Sequence, residues 1–406
     1  MTSEWEIKSF VLQTRPLFTS HTGLNIAEVL KSAVLEWGLD NNQGIAVVTD
    51  NARNMDVAVR EAGLSPHIKC FAHTLNLASK AGFNVNRASR LLGRVRRVAA
   101  FFHRSSTATA VLATKQGMLN LPAHKLIMDV VTRWNSSLDM LERYLEQQQA
   151  IAATLLSAEV RRNAREIDTL EPADITDAED MVRLLSPLKK ATTVLCDESR
   201  PTVSLIVPLK HMIEQSMAQC DEDSSTIAQM KRAILKDFTD RYQGEQNKFL
   251  QVSTALDPRF RSLHQLNDSQ REDVFDRLKL KATQMQNQNP SETEGERAHD
   301  AEEQSPPSKK TALEDLLGES FIKEVHVAQH NTGIEAEIDL YRKATSILLS
   351  DCPLKWWRDN AKCYPLLSPM AEAYLSVPAT SVPSESFFHS RGYCKRPKIP
   401  ASTWKC

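Results

Sequence analysis

Three groups of residues have types and spacing that suit chemistry. The first is acidic. The run 44–55 (GIAVVTDNARNM) reads as a short buried strand over 45–48 leading to Asp50, with Asn51 placed to N-cap a helix that begins near Ala52. A carboxylate at the carboxyl end of a strand, beside a helix N-terminus, is where open α/β sheets place their chemistry. The competing reading is a capping Asp/Asn pair with no chemistry. A second acid, Glu385, falls in the first turn of a helix that starts near Pro383. The macrodipole favours a carboxylate there whatever its role.

The second group is Cys70 and His73, three apart at a strand-to-helix junction in KCFAHTLNL. This spacing is half of a zinc site. Zinc needs four ligands, however, and no second pair at metal spacing follows. The alternative is a small buried Cys with a His bonded to the backbone. The third group is basic. Over 87–102, Leu91, Val95, Val98 and Phe102 form one stripe of a helix, and Arg87, Arg90, Arg94 and Arg97 form another. Arg96, His103 and Arg104 add charge. A row of arginines suits phosphate contacts, and it equally suits a solvated face with acidic partners elsewhere.

The elements around these groups change character along the chain. Residues 5–14 (WEIKSFVLQT) are a strand candidate. A helix follows over 22–37 with Thr22 as N-cap; then come the Asp50 strand, a helix over 52–62, a strand over 67–71 and a helix over 72–80. Alternating strands and helices predict a partly parallel sheet with helices packed on it. From about 132 to 280 the pattern is helical, with helices over 138–156, 181–195, 204–217 and 226–238. Leu138, Leu141, Leu145, Ile151, Leu184, Leu185, Leu188 and Val194 are its core candidates. A turn is expected at Asp257-Pro258. The acids between 171 and 180 read as start signals ahead of a helix. Residues 284–310 are polar and predicted to be disordered. A further helix covers 334–349, and Leu366, Leu367, Met370, Ala371, Tyr374 and Leu375 form a helical apolar face.

Bulk properties narrow the partners. The chain has 406 residues and a net charge of -1, so a nucleic-acid contact must come from a local patch. No apolar run has membrane-spanning length, and the N-terminus lacks the pattern of a secretory signal. The seven cysteines are scattered without a CxxC pair, which fits a reducing compartment.

The C-terminal stretch, Pro353-Leu354-Lys355-Trp356-Trp357 followed by Pro365 through Gly392, resembles the dimerisation region of hAT-superfamily transposases and of their domesticated relatives, the zinc finger BED domain-containing proteins. TDNARNM, the Arg-rich RLLGRVRR, KCFAHTLNL, TRWNSS and ALDPRF match other blocks of that family. The resemblance implies an α/β plus α fold: a truncated RNase H-like core interrupted by a large all-helical insertion domain. Its implied divisions are 1–82 for the first part of the core, 83–333 for the insertion, and 334–400 for the dimerisation region that completes the core. Asp50 and Glu385 match the second and third acids of an Asp-Asp-Glu set that holds Mg²⁺ or Mn²⁺ for attack on a phosphodiester. Trp134 falls in a block near the family's DNA-hairpin handling site. Cys70 and His73 match a C-x-x-H block with a structural role. Trp356, Trp357, Leu366, Leu367, Met370, Tyr374 and Leu375 belong to the dimerisation region.

Departures from the family pattern shape the expected function. The family's first catalytic Asp and its BED zinc finger lie upstream of the block at which this sequence begins. Ser386 stands where the family has Arg, and the text after Gly392 leaves the pattern. The expectation is a catalytically inactive, dimerising nuclear protein that contacts DNA non-specifically, with itself and DNA as partners and no membrane. The alternatives are a Mg²⁺- or Mn²⁺-dependent nuclease and a transcription regulator or SUMO-ligase-like relative. No RING-type zinc spacing supports the last.

Overall fold

The computed structural model describes residues 1–39, 44–130, 132–195, 199–288 and 333–381. Glu385 and the helix expected near Pro383 lie outside the described residues, as does most of the polar stretch 284–310. The described chain is mostly helical. Among the described residues the sheet is a parallel pair, β1 (Val47–Thr49) and β2 (His67–Lys69), with Val47 opposite His67 and Thr49 opposite Lys69. The connecting helix is α2 (Arg53–Glu61), and α1 (Gly23–Glu36) packs on it. Thr22 caps α1 by accepting the Asn25 N–H at 3.3 Å. Gly23 makes the α1–α2 approach possible, since a Cβ there would stand 2.5 Å from Val57 Cβ.

The strand expected over 5–14 does not form, and Phe10 is 77 % exposed. Its β-branched and aromatic residues favour a pleated surface, but strand propensity without a neighbouring ladder leaves the backbone unpaired. Strand β2 is also shorter than expected. Cys70 ends it and caps α3 (Phe71–Phe83).

Helices then follow one another: α4 (Asn86–Arg104), α5 (Ser106–Met118), α6 (Trp134–Leu155), α7 (Pro172–Val194), α8 (Ile206–Ser216), α9 (Ser225–Thr239), α10 (Gly244–Ala255) and α11 (Asp268–Gln288). The last three are α12 (Ile334–Lys343), α13 (Pro353–Asn360) and α14 (Leu367–Leu375). The acids of 171–180 do not precede α7 but lie largely within it, and Asp174 Oδ2 accepts the Glu171 N–H at 3.2 Å. Val194, expected in the core, is 50 % exposed. The helix expected over 334–349 stops at Lys343, so α12 is shorter and Leu348 and Leu349 face solvent.

Two cores organise these helices. The first gathers β2, α3, α4, α6, α7 and α9. The predicted apolar stripe of α4 is buried there, and Gly82 of α3 lies against Ile234 of α9, where a Cβ would meet Ile234 Cδ1 at 2.9 Å. The second core gathers the end of α10, α11 and α12–α14. Helix α10 bridges them, with Leu250 in the first and Val252 and Ala255 in the second. After α14 the chain returns to the sheet. Ala379 O accepts the Phe71 N–H at 2.9 Å, and the Ala379 N–H donates to Thr202 Oγ1 at 2.9 Å.

Candidate functional site

Asp50 stands where β1 ends. Its Oδ1 accepts the Ala52 N–H at 3.1 Å, so the carboxylate closes the turn into α2. Asn51 is not the N-cap; Ala52 holds that position. The Asn51 amide instead donates to Thr74 Oγ1 at 2.9 Å, while its Oδ1 is buried without a partner. Beside the acid stands a cation. Burial pushes the Lys69 ammonium below its ordinary pKa, Asp50 opposes that shift, and Arg241 adds to it. Lys69 is ion-paired with Asp56. His67, opposite Val47 in the ladder, shares a 2.8 Å hydrogen bond with Thr49 Oγ1, and burial holds its imidazole below the usual value.

A metal at this point needs several hard oxygen ligands. Among the described residues no group of three His, Cys, Asp or Glu side chains could hold an ion. The Asp50 carboxylate accepts the Ala52 N–H and feels the charge of Lys69, whose ammonium is paired with Asp56; both oppose a further cation there. The orphaned Asn51 oxygen is the one feature that a cation or a water would satisfy. The described residues therefore do not make a two-metal site.

Cys70 is 2 % exposed, and its Sγ accepts the His73 N–H at 3.5 Å and the Ser381 N–H at 3.4 Å. It thus caps α3 and receives the returning C-terminal segment. That bond brings the chain to the sheet end at Ser381.

The arginine stripe of α4 divides. Arg87 pairs with Asp174 at 3.3 Å and also with Asp177, and Arg94 pairs with Asp174. Asp174 and Asp177 are buried on α7, so these contacts tie α4 to α7. Arg90 donates to the backbone O of Asn86 at 3.3 Å, and Arg97 is exposed. Arg96, outside the predicted stripe, forks onto Asp129 at 2.7–2.9 Å. Burial raises the Asp129 pKa, but hydrogen bonds from Arg96 and Ser137 outweigh it and hold the carboxyl below its ordinary range. Trp134 is 3 % exposed, with its backbone N–H donated to Asn76 Oδ1 at 3.2 Å, so its ring is part of the core.

One end of α4 opens onto a cleft of about 780 Å³ lined by Arg96, Arg97, Phe101, Arg104, Asn163 and Glu166, among others. Ser105 ends α4 and caps α5, its Oγ accepting the Ala108 N–H at 3.1 Å, so the N-terminus of α5 also borders the cleft. The α6–α7 loop supplies Asn163 and carries exposed Arg161, Arg162 and Arg165. Sequence reading missed this second basic group. Its available signal was three arginines within RRNAR between two helices.

In the C-terminal region, Trp357, Leu367, Met370, Tyr374 and Leu375 are buried, while Trp356 and Leu366 are half-buried. Tyr341, Trp356, Trp357 and Tyr364 form one aromatic cluster. Glu337 caps α14, accepting the N–H of Leu366 at 3.0 Å and of Leu367 at 3.1 Å. The interior residues build this unit; they do not themselves form its outer surface.

Comparisons with known proteins complete these observations. Residues 68–184 match the ZBED1 RNase-like helical domain, and residues 337–397 match the hAT family C-terminal dimerisation region. The chain is 26 % identical to zinc finger BED domain-containing protein 4 of Homo sapiens over 386 residues, covering 94 % of this chain and 32 % of that protein. It is 24 % identical over 426 residues to a putative AC transposase of Zea mays, covering 92 % and 48 %. It is 20 % identical over 415 residues to zinc finger BED domain-containing protein RICESLEEPER 3 of Oryza sativa subsp. japonica, covering 96 % and 54 %. The chain thus spans about a third to about half of the length of these relatives.

Proposed function

This chain belongs among the hAT transposase-derived proteins, beside the BED-finger relatives, and we propose that it serves as a self-associating, DNA-associated nuclear protein without transposition chemistry of its own. Self-association is carried by the match of residues 337–397 to the hAT dimerisation region. The folding of α12–α14 into one unit, pinned by Glu337 and the aromatic cluster, supports it. The nuclear reading is supported by relatives named as a zinc finger BED domain-containing protein and a putative transposase.

The absence of catalysis is argued from Asp50. Its carboxylate is engaged by the Ala52 N–H and lies near the Lys69 ammonium, which supports its reading as a turn-closing group. The RNase H-like reading of the core rests on the parallel β1–α2–β2 unit and on the return of residues 377–381 to the end of β2. The second reading, a Mg²⁺- or Mn²⁺-dependent nuclease, draws on the partnerless Asn51 oxygen and on Glu385 as a further acid. Analytical ultracentrifugation of the chain tests self-association, with a monomer at all concentrations counting against it. Mn²⁺-dependent plasmid cleavage, compared in the wild type, Asp50→Ala and Glu385→Ala, tests catalysis. Cleavage lost in both variants would establish the nuclease.

A further inference from the structure

Of the four arginines that the helical spacing of α4 singles out, the fold leaves Arg90 and Arg97 without an ion pair among the described residues, and of these two Arg97 lines the cleft. Arg87 and Arg94 are committed to α7, and Arg96 to Asp129. Arg97 and Arg104 are exposed on the wall of the 780 Å³ cleft, and among the described residues neither makes an ion pair. Arg161, Arg162 and Arg165 stand on the neighbouring loop, also without ion pairs among the described residues. That loop is held in place. Buried Val160 and Ala164 anchor it, and the Ala164 N–H donates to Val160 O at 3.1 Å.

We propose that DNA is held at this cleft through its phosphodiester backbone, with Arg97 and Arg104 on one wall and with Arg161, Arg162 and Arg165 exposed on the loop whose Asn163, Glu166 and Ile167 line the other. The inference rests on the DNA association proposed above and gives it a surface. Guanidinium groups without internal partners are the ones that can release counterions from phosphates, whereas a paired arginine must first break its own ion pair. The geometry adds features of the right sign and shape. The N-terminus of α5 borders the cleft with its partial positive charge, and the Phe101 ring offers an apolar wall to a sugar or base. Arg96, which also lines the cleft, is held by its pair with Asp129. Glu166 faces the same space and opposes binding.

The test is fluorescence anisotropy of a labelled DNA duplex of arbitrary sequence, titrated with the chain over a series of KCl concentrations. Arg97→Ala/Arg104→Ala is expected to weaken binding on the order of tenfold and to lower the slope of log K against log salt by about two. Glu166→Gln, an exposed change that breaks no ion pair among the described residues, is expected to tighten binding. Arg90→Ala, on the original stripe, is expected to change it little. Wild-type binding that neither the double variant nor Glu166→Gln alters, or that falls only with Arg90→Ala, overturns the cleft and leaves DNA association standing. A wild-type chain that binds no duplex at low salt overturns both.

Discussion

Trp5 stacks on Trp357, with ring centroids 5.9 Å apart and planes 12° from parallel, so the first residues of the chain close over the aromatic cluster of α12–α14. Trp357 is fully buried, stacks on Tyr341 at 5.4 Å and donates its indole N–H to Leu256 O at 2.8 Å. Losing that ring removes packing and leaves a carbonyl without its partner. Trp357→Ala is expected to destabilise the chain by about 3–5 kcal/mol, and Trp5→Ala by about 1 kcal/mol. Urea unfolding followed by far-UV circular dichroism measures both. Equal losses would mean that Trp5 is as central as the ring it covers.

The ALDPRF turn hides an ion pair. Asp257 and Arg259 side chains are 0 % and 5 % exposed, Arg259 forks onto the carboxylate at 3.0 and 2.7 Å, and Ser204 Oγ donates to it at 2.7 Å. The Ser204 bond fastens the end of α10 to the 3₁₀ turn Val203–Leu205, and Arg259 neutralises the buried carboxylate that receives it. Removing one partner strands a buried charge. Asp257→Ala should cost about 3–5 kcal/mol, while Asp257→Leu/Arg259→Met should recover much of that loss. A double-mutant cycle in urea gives the coupling, and a double variant as unstable as the single one would show that the Ser204 bond is the larger loss.

Much of this was legible from spacing. The α4 stripe of Leu91, Val95, Val98 and Phe102 is buried as a 3.6-residue period requires, and Thr22 caps α1. What spacing does not carry is the identity of partners across the fold. Spacing leaves Arg87 and Arg94 open between phosphate contacts and acidic partners elsewhere, because Asp174 and Asp177 are far away in sequence, although those two acids, three apart on α7, share one side of a helix and were themselves a signal. Residues 5–14 read as a strand because propensity is local, while a strand exists only with a neighbour. Trp134 illustrates a third limit. A motif match places a residue near a function, yet here the ring lies in the core and its backbone N–H meets Asn76.

The β-sheet end should respond to acid. Burial holds the His67 imidazole below 6.5, so the unfolded chain takes up a proton at a pH where the folded one does not. A base with a depressed folded pKa contributes stability that is present above its unfolded value and is lost as pH falls from there through the folded pKa. Wild-type stability is thus expected to drop from about pH 6.5 downwards as this group begins to titrate in the unfolded chain. His67→Gln, which can keep a hydrogen bond to Thr49, should flatten that part of the profile. Urea midpoints collected between neutral pH and the onset of carboxyl titration measure it, and parallel profiles for the two chains would remove His67 from the account.

Asp50 gives the sharpest separation between a turn-closing acid and a metal ligand. Its Oδ1 accepts the Ala52 N–H at 3.1 Å, a role that an amide oxygen performs nearly as well as a carboxylate oxygen. Asp50→Asn should therefore leave stability within about 0.5 kcal/mol, while Asp50→Ala should cost about 1 kcal/mol. A bound divalent ion would stabilise the folded state by mass action and raise the melting temperature with concentration. Thermal unfolding of the wild type in rising Mn²⁺ is expected to show no shift that Asp50→Asn abolishes. Replacing Lys69 with Met would remove the competing ammonium, so a Mn²⁺-dependent rise that appears only in Lys69→Met would show that this cation, rather than the geometry of β1, keeps a metal from Asp50.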